Sequence, residues 1–140
     1  MTPDQLFQLA SAAVLPGWLA LATAPLWRTR AVLVARLVAA ALAGLYVCLL
    51  VAGLAGEGVP EGAGFTTLAG VRLLLSSEAA LVAGWVHYLV FDLWVGSWEA
   101  GDAGRHGVPH ALLLPCLLLT LMAGPTGLML YLLLRLRYRR

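Results

Sequence analysis

The sequence predicts an all-α integral membrane protein, a single domain built as a four-transmembrane-helix bundle, and three observations predict it. Hydrophobic residues make up 61% of the 140 positions and charged residues only 11%, against about 25% charged in an ordinary soluble domain. Mean hydropathy is +0.88, and so small a globule has too little interior to bury that much apolar surface. The apolar residues also fall into four runs, each long enough to cross a bilayer, separated by polar or glycine-rich breaks. In lipid, helices satisfy all their backbone groups internally, which is why the runs read as helices.

The first span covers about 6–27 and carries no charge after Asp4. Pro16-Gly17 interrupts its middle and predicts a kink of the kind that neighbouring helices accommodate in a membrane. Arg28-Thr29-Arg30 then forms a basic turn. The second span, 32–55, has Arg36 near its start, where a long stem can snorkel to the interface. Ala39, Ala40, Ala43 and Gly44 offer it a small-residue face for close packing. The stretch from Gly56 to Gly64, with Glu57 and Glu61, reads as a glycine- and proline-broken linker.

A third helix beginning near Thr66 or Thr67 would reach Gly96 after about thirty residues, more than the ~20 that cross hydrocarbon. Residues 66–75, with Arg72, therefore read as an interfacial lead-in and 76–96 as the span. Ser97 to Pro109 reads as a polar loop, because Gly101, Gly104, Gly107 and Pro109 disfavour a continuous helix. The fourth span, 110–134, contains Pro115 and a Gly124-Pro125-Thr126-Gly127 break. Backbone groups freed there should face the third span across a common cavity. Arg135, Arg137, Arg139 and Arg140 end the chain.

Four spans place both termini on one side of the membrane and the Ser97–Pro109 loop opposite, alongside Arg28 and Arg30. Basic residues then nearly balance across the bilayer, with a slight lean to termini inside. The net charge of +2 provides no patch for nucleic acid. Cys48 and Cys116 stand in apolar runs without CxxC spacing, so neither zinc nor a disulfide framework is indicated. No basic segment precedes the first run, which reads as a span rather than a cleavable signal. All nine basic residues are Arg in an Ala- and Leu-rich background. That bias goes with a bacterial source, and a bacterial inner membrane is the expected location.

The third span holds Glu78, His87 and Asp92, where most membrane helices carry no ionisable group. At about 100° per residue, Glu78, Trp85 and Asp92 share one face with Tyr88, whereas His87 lies about 140° away, near Phe91 and Trp94. The bland alternatives are interfacial placement for both carboxylates, aromatic-belt roles for Trp85, Trp94 and Trp98, and one interhelical hydrogen bond for His87. Asp102, His106 and His110 recur every fourth residue, a metal-ligand spacing on a helix, but the glycines around them argue against a helix there. Acid–base work at an aqueous edge suits these residue types better.

Gly84-Trp-Val-His-Tyr-Leu-Val-Phe-Asp-Leu-Trp-Val-Gly96, followed by Trp98-Glu99, Asp102-Ala103 and Pro109-His110, resembles the abscisic-acid-deficient-four-like family. Leu114-Pro-Cys-Leu-Leu-Leu-Thr120, Gly124-Pro125 and Gly127-Leu-Met-Leu-Tyr131 continue the likeness, as do Pro16-Gly-Trp18 and Pro25-Leu-Trp27. In plants that family is tied to making neoxanthin, an allenic carotenoid, from the epoxide violaxanthin. The resemblance implies four membrane helices and a carotenoid or isoprenoid lipid as partner. It places His87, Asp92, Asp102 and His110 within recurrent motifs, with Glu78 just upstream.

Opening an epoxide to an allenic alcohol is an isomerisation. It delivers a proton to the epoxide oxygen and removes another from the neighbouring polyene carbon, so it demands no flavin, haem or nicotinamide cofactor. The expected catalytic set is His87, Asp92, Glu78, Asp102 and His110, with Asp92 or Glu78 as acid and His87 as base. Trp85, Tyr88, Phe91 and Trp94 would line a substrate groove and stabilise cationic charge. The alternatives are a non-catalytic carotenoid- or lipid-binding membrane protein and a metal-dependent membrane enzyme. A homo-oligomer stays open.

Overall fold

The computed structural model describes residues 1–56 and 58–138. Glu57 of the linker and Arg139 and Arg140 of the tail lie outside the described residues. Regular structure among the described residues is entirely helical: α1 Pro3–Ala13, α2 Leu15–Ala22, α3 Arg28–Ala55, α4 Leu68–Leu74, α5 Glu78–His106 and α6 His110–Arg135. Four segments are long and apolar enough to cross a membrane, Pro3–Ala22, Arg28–Ala55, Glu78–His106 and His110–Tyr138, as composition predicts.

Helix starts follow local chemistry. Thr2 and Gln5 form a reciprocal capping box at α1. Pro16 falls in the first turn of α2, where its missing N–H costs nothing. Val14 between them keeps helical geometry at φ −75° and ψ −26°. The expected kink is thus a shallow interruption of one span. Thr67 caps the short helix α4 by accepting from the Gly70 N–H, and Ser77 caps α5 by accepting from that of Ala80. The lead-in before the third span is therefore a helix of its own.

The long helix α5 organises the bundle. The first span runs parallel to it: Ser11 accepts from the Trp85 indole, Gly17 meets Leu93, and Trp18 meets Gly96. Helix α3 runs antiparallel, with Tyr46 beside His87 and Arg36 beside Trp94 and Ser97. The buried small residues of α3 are Ala31, Ala35 and Ala39, while Ala40 and Gly44 are exposed. Of the expected face, Ala39 is buried and Ala43 half-buried, and the stripe continues through Ala35 and Ala31 instead of Ala40 and Gly44.

Two expectations change. First, α5 does not stop at Gly96 but continues to His106, ending at Gly107 in the left-handed region at φ +69°. A mid-helix glycine costs about 1 kcal/mol relative to alanine. Along this stretch, however, Ser97, Glu99, Ala100, Asp102 and Ala103 are all buried. Gly104 also seats the Arg28 side chain where a Cβ would collide. Packing outweighs propensity, and the expected loop is helix.

Second, α6 folds back on itself. Ala123 leaves helical geometry at φ −156° and ψ 74°, dividing α6 into arms 110–122 and 124–135. On the outward arm the Leu121 carbonyl meets the Tyr88 hydroxyl. Gly124 lies against Asp92, and Gly127 lies against Thr120 and the Cys116 carbonyl. Tyr131 then reaches Trp98 and Asp102, and Arg135 reaches Asp102 and His106. The second arm therefore runs parallel to α5, back to the end where α6 began.

Proline explains the reversal. Pro125 has no N–H for the Leu121 carbonyl and its ring clashes with that turn. It also biases Gly124 away from helical geometry and suits the first turn of the returning arm. The Tyr88 hydroxyl donates to the orphaned Leu121 carbonyl at 3.4 Å. The expected facing of the break holds for Gly124, which is buried, whereas Pro125 is exposed.

The fold-back removes the near-tie in charge. Arg28, Arg30, Arg105, Arg135 and Arg137 gather at the His106 end, while Arg72 stands with Asp4, Glu61 and Glu78 at the other. The positive-inside rule then puts the His106 end on the side from which the chain is inserted. The N-terminus and Arg135 lie at opposite ends, correcting the expectation of both termini together.

Single cysteines placed in a Cys48→Ala, Cys116→Ala background test this. Probes at Gly107 and Tyr138 should react with a membrane-impermeant reagent from one side, and a probe at Thr2 from the other. Labelling of Gly107 and Tyr138 from opposite sides would mean a straight fourth span. Gly127→Ala should also lower thermal stability in detergent by about 1–3 kcal/mol, because the new methyl meets the Thr120 and Cys116 backbone, which cannot move aside.

Candidate active site

Where the two arms of α6 close over α5, they seal a polar seam. Side chains buried with polar or charged groups are Asp92, Ser97, Glu99, Asp102 and Thr120, and all but Ser97 lie on this seam. Asp92, Glu99 and Asp102 follow a seven-then-three spacing, which puts them on one face of α5. Ser97 instead faces α3, donating to the Trp94 carbonyl at 2.7 Å and accepting from Arg36 at 3.4 Å.

Asp92 sits at mid-helix, 9% exposed, with its carboxyl against Gly124 where the returning arm begins. Any side chain at Gly124 would occupy the carboxyl's place. Its Oδ2 is buried without a hydrogen-bond partner. Buried polar atoms are nearly always satisfied, so an orphan oxygen signals either a stored cost or a site for a ligand. Tyr88 stands one turn earlier on the same face.

Seven residues on, Glu99 is fully buried at 0% exposure. The Thr120 hydroxyl lies 3.0 and 3.2 Å from its two carboxyl oxygens. Asp102 closes the seam in an ion cluster. Tyr131 donates to it at 2.7 Å, Arg135 Nε lies 2.6 Å away, and Arg105 lies 3.3 Å away. Arg135 also donates to His106 Nε2 at 3.1 Å, leaving Nδ1–H to donate to the Asp102 carbonyl at 3.0 Å.

Two apolar grooves, each of about 660 Å³, run along the first span. One lies between α1 and α5, with Phe7, Trp85 and Tyr88 in its wall and Asp4 and Glu78 at its mouth. The other lies between α2 and the outward arm of α6, lined by Trp18, Leu19, Leu114 and Leu121 among others. The Tyr88–Leu121 hydrogen bond joins a residue of each wall. Within the first groove Phe7, Trp85 and Tyr88 stack in series at centroid spacings of 5.3 Å.

The structure divides the residues expected to act together. Asp92 and Asp102 share the seam but lie ten residues apart, roughly 15 Å along the axis. Glu78 is exposed in the first turn of α5, and His110 ties α6 to the first span by a 2.8 Å bond to the Ala22 carbonyl. His87 is exposed on a different face, 4.6 Å from the Phe91 ring and 5.4 Å from Tyr46. Helical phase had already set His87 apart from Asp92, and the structure keeps them on different faces. The expected aromatic groove divides likewise: Trp85 and Tyr88 line it, while Phe91 and Trp94 stand outside, Trp94 under the Arg36 guanidinium at 5.3 Å.

Glu99, Thr120, Tyr131 and Arg135 were not among the expected site residues. The signal for Glu99 was present, since it continues the Trp85–Asp92 heptad. It was lost because its surroundings read as a loop. Tyr131 and Arg135 join the cluster only through the reversal at Ala123, which spacing alone does not reveal.

Fold and site together define an all-α, multi-pass membrane protein with an acidic seam sealed inside a helical hairpin. The family profile described as ABA DEFICIENT 4-like matches residues 5–131, nearly the whole chain, and the chain belongs to that family. Membership relates it to the carotenoid and abscisic acid pathway. No curated protein and no solved structure matches it.

Tyr131→Phe leaves the buried Asp102 oxygen short of one donor, a loss of about 1–3 kcal/mol. Thermal unfolding in detergent should show that loss, and limited proteolysis should cut the returning arm sooner. Unchanged stability and protection would mean the second arm is held elsewhere.

Proposed function

We propose that the chain is a membrane enzyme that isomerises or cyclises a carotenoid or related isoprenoid lipid by acid–base catalysis, with Asp92 as the proton-transferring group. The observation that carries this reading is Asp92 itself. It is a nearly buried carboxyl with an unpartnered oxygen at a helix break, one turn from Tyr88 in the groove wall. Ionisable groups at membrane depth are costly and usually mark function.

The grooves support a rod-like apolar substrate. The twenty residues of the first span rise about 30 Å, close to the thickness of the hydrocarbon core. A long polyene lying in them would meet the stacked rings of Phe7, Trp85 and Tyr88 near one end and aliphatic walls at the other. In the isomerisation, Asp92 gives its proton to the epoxide oxygen as the C–O bond breaks. The resulting carboxylate takes a proton from the adjacent polyene carbon as the new double bond forms. Atoms and charge balance, no electrons enter or leave, and Asp92 returns to its starting state. Trp85 and Tyr88 present π faces to the transient cation. The host we assign is bacterial, with the protein in its inner membrane.

A second reading, a non-catalytic carrier of the same lipid class, is favoured by the grooves alone. Pigment profiles of a carotenoid-making host with and without the chain separate the two. Expression should consume a precursor and yield an isomer of equal mass, and Asp92→Asn should lower that yield by at least ~100-fold while the variant still co-purifies with pigment. His87→Ala should retain most of the product. Undiminished product from Asp92→Asn overturns the assignment, and pigment binding without conversion by the unaltered chain moves the conclusion to a carrier.

A further inference from the structure

The seam contains a second buried acid that the reaction above does not use. Glu99 is sealed from solvent, and its hydrogen bonds come from one hydroxyl, Thr120, which has a single proton to donate to two oxygens. The ion pairs formed among the described residues all belong to Asp102, leaving Glu99 without a cation. Holding an unpaired carboxylate in such a place is strongly unfavourable, and a bound proton removes that cost. Asp92, on the same face, supplies an independent sign: a buried oxygen with no partner.

The groups along the seam follow one another in order from mid-helix to the basic end of α5. Asp92 is at mid-helix beside the groove wall. Glu99 follows two turns toward the basic end, Asp102 one turn beyond it, and the partly exposed His106 one turn further, at the end of α5. Thr120 can accept and donate at once, so it can pass a proton as well as hold Glu99 in place. The interval from Asp92 to Glu99 is roughly 10 Å along the axis, so the relay requires one or two waters between them.

We propose that Glu99 is a proton-carrying group which, through Thr120 and the Asp102–His106 cluster, connects Asp92 to water at the arginine-rich face. Asp92 is enclosed against the returning arm, so a proton lost when substrate leaves between the two transfers is restored only along the seam. The relay rests on the reading of Asp92 as a proton-transferring group, but its test does not require turnover.

Infrared spectroscopy of the purified full chain in lipid nanodiscs reads protonated carboxyls through their C=O stretching band. Glu99→Gln should remove one such band, and in deuterated buffer that band should shift in the unaltered chain, showing exchange with solvent. Thr120→Val, which keeps the shape, should move the band to the position of a carboxyl without a hydrogen bond. That shift reports Glu99 even where Glu99→Gln does not fold. Asp102→Asn should slow deuterium entry at Glu99 and at Asp92 alike. No band lost in a folded Glu99→Gln chain, and no shift in Thr120→Val, overturn the proposal. A Glu99 band that exchanges, in a chain that converts no pigment, upholds the relay while overturning the enzymatic reading. Full conversion by Asp102→Asn with unaltered exchange at Asp92 overturns the relay while leaving that reading intact.

Discussion

Between Thr120 and Gly127 two stretches of one helix come so close that a single methyl group on Gly127 would strike backbone. That contact fixes how tightly the returning arm lies on the outward one. It thereby fixes the height at which Tyr131 and Arg135 meet Asp102, and seals Glu99 behind them. Lipid enforces the arrangement further, because a broken helix in hydrocarbon must find partners for every freed backbone group. Tyr88 supplies one, at the carbonyl that Pro125 cannot serve. The reversal and the polar interior are thus one structure: neither the break without α5 nor the buried acids without the break would be tolerable.

The first groove and the seam follow one another along α5, with Trp85 and Tyr88 in the groove wall and Asp92 opening the seam one turn on. The Tyr88 ring lines the apolar trough along the first span, while its hydroxyl caps the orphan carbonyl at the turn of the hairpin. The buried acids therefore begin where the wall of the first groove ends, with Tyr88 between Asp92 and the apolar trough. The acids can then stay buried and ordered while the trough remains open to a mobile apolar molecule. His87, Phe91 and Trp94 belong to another surface, shared with Tyr46 and Arg36 of α3.

Much of this was legible in the residues. Apolar runs mark the four segments, Thr67 and Ser77 mark helix starts, and Pro16 and Pro125 mark the breaks. Asp92 stood out as an ionisable group in apolar company, and Asp102 as part of the motif that carries the family resemblance. What failed has physical causes. Glycine counts against helix through local conformational entropy, but at Gly104 the absent side chain makes room for Arg28, a tertiary fact with no local trace. Reading 97–109 as loop then hid Glu99, although its phase with Asp92 was correct. A Gly-Pro pair announces a break without stating its angle. That angle depends on what waits on α5 to receive the returning arm, here Asp102 for Arg135 and Trp98 for Tyr131. Charge balance across the membrane was misjudged for the same reason.

The hairpin also constrains how the protein is made. Each arm of α6 has about a dozen residues, well short of the ~20 that a translocating machinery can leave across the bilayer as a stable span. Neither arm can be inserted and held while the other is still being synthesised. Both must enter together, after α5 is already in place to receive their polar side chains. The C-terminal arm completes the interior last, so a half-made chain carries Asp92, Glu99 and Asp102 exposed to lipid on α5. Such an intermediate would be a strong candidate for recognition by membrane quality control.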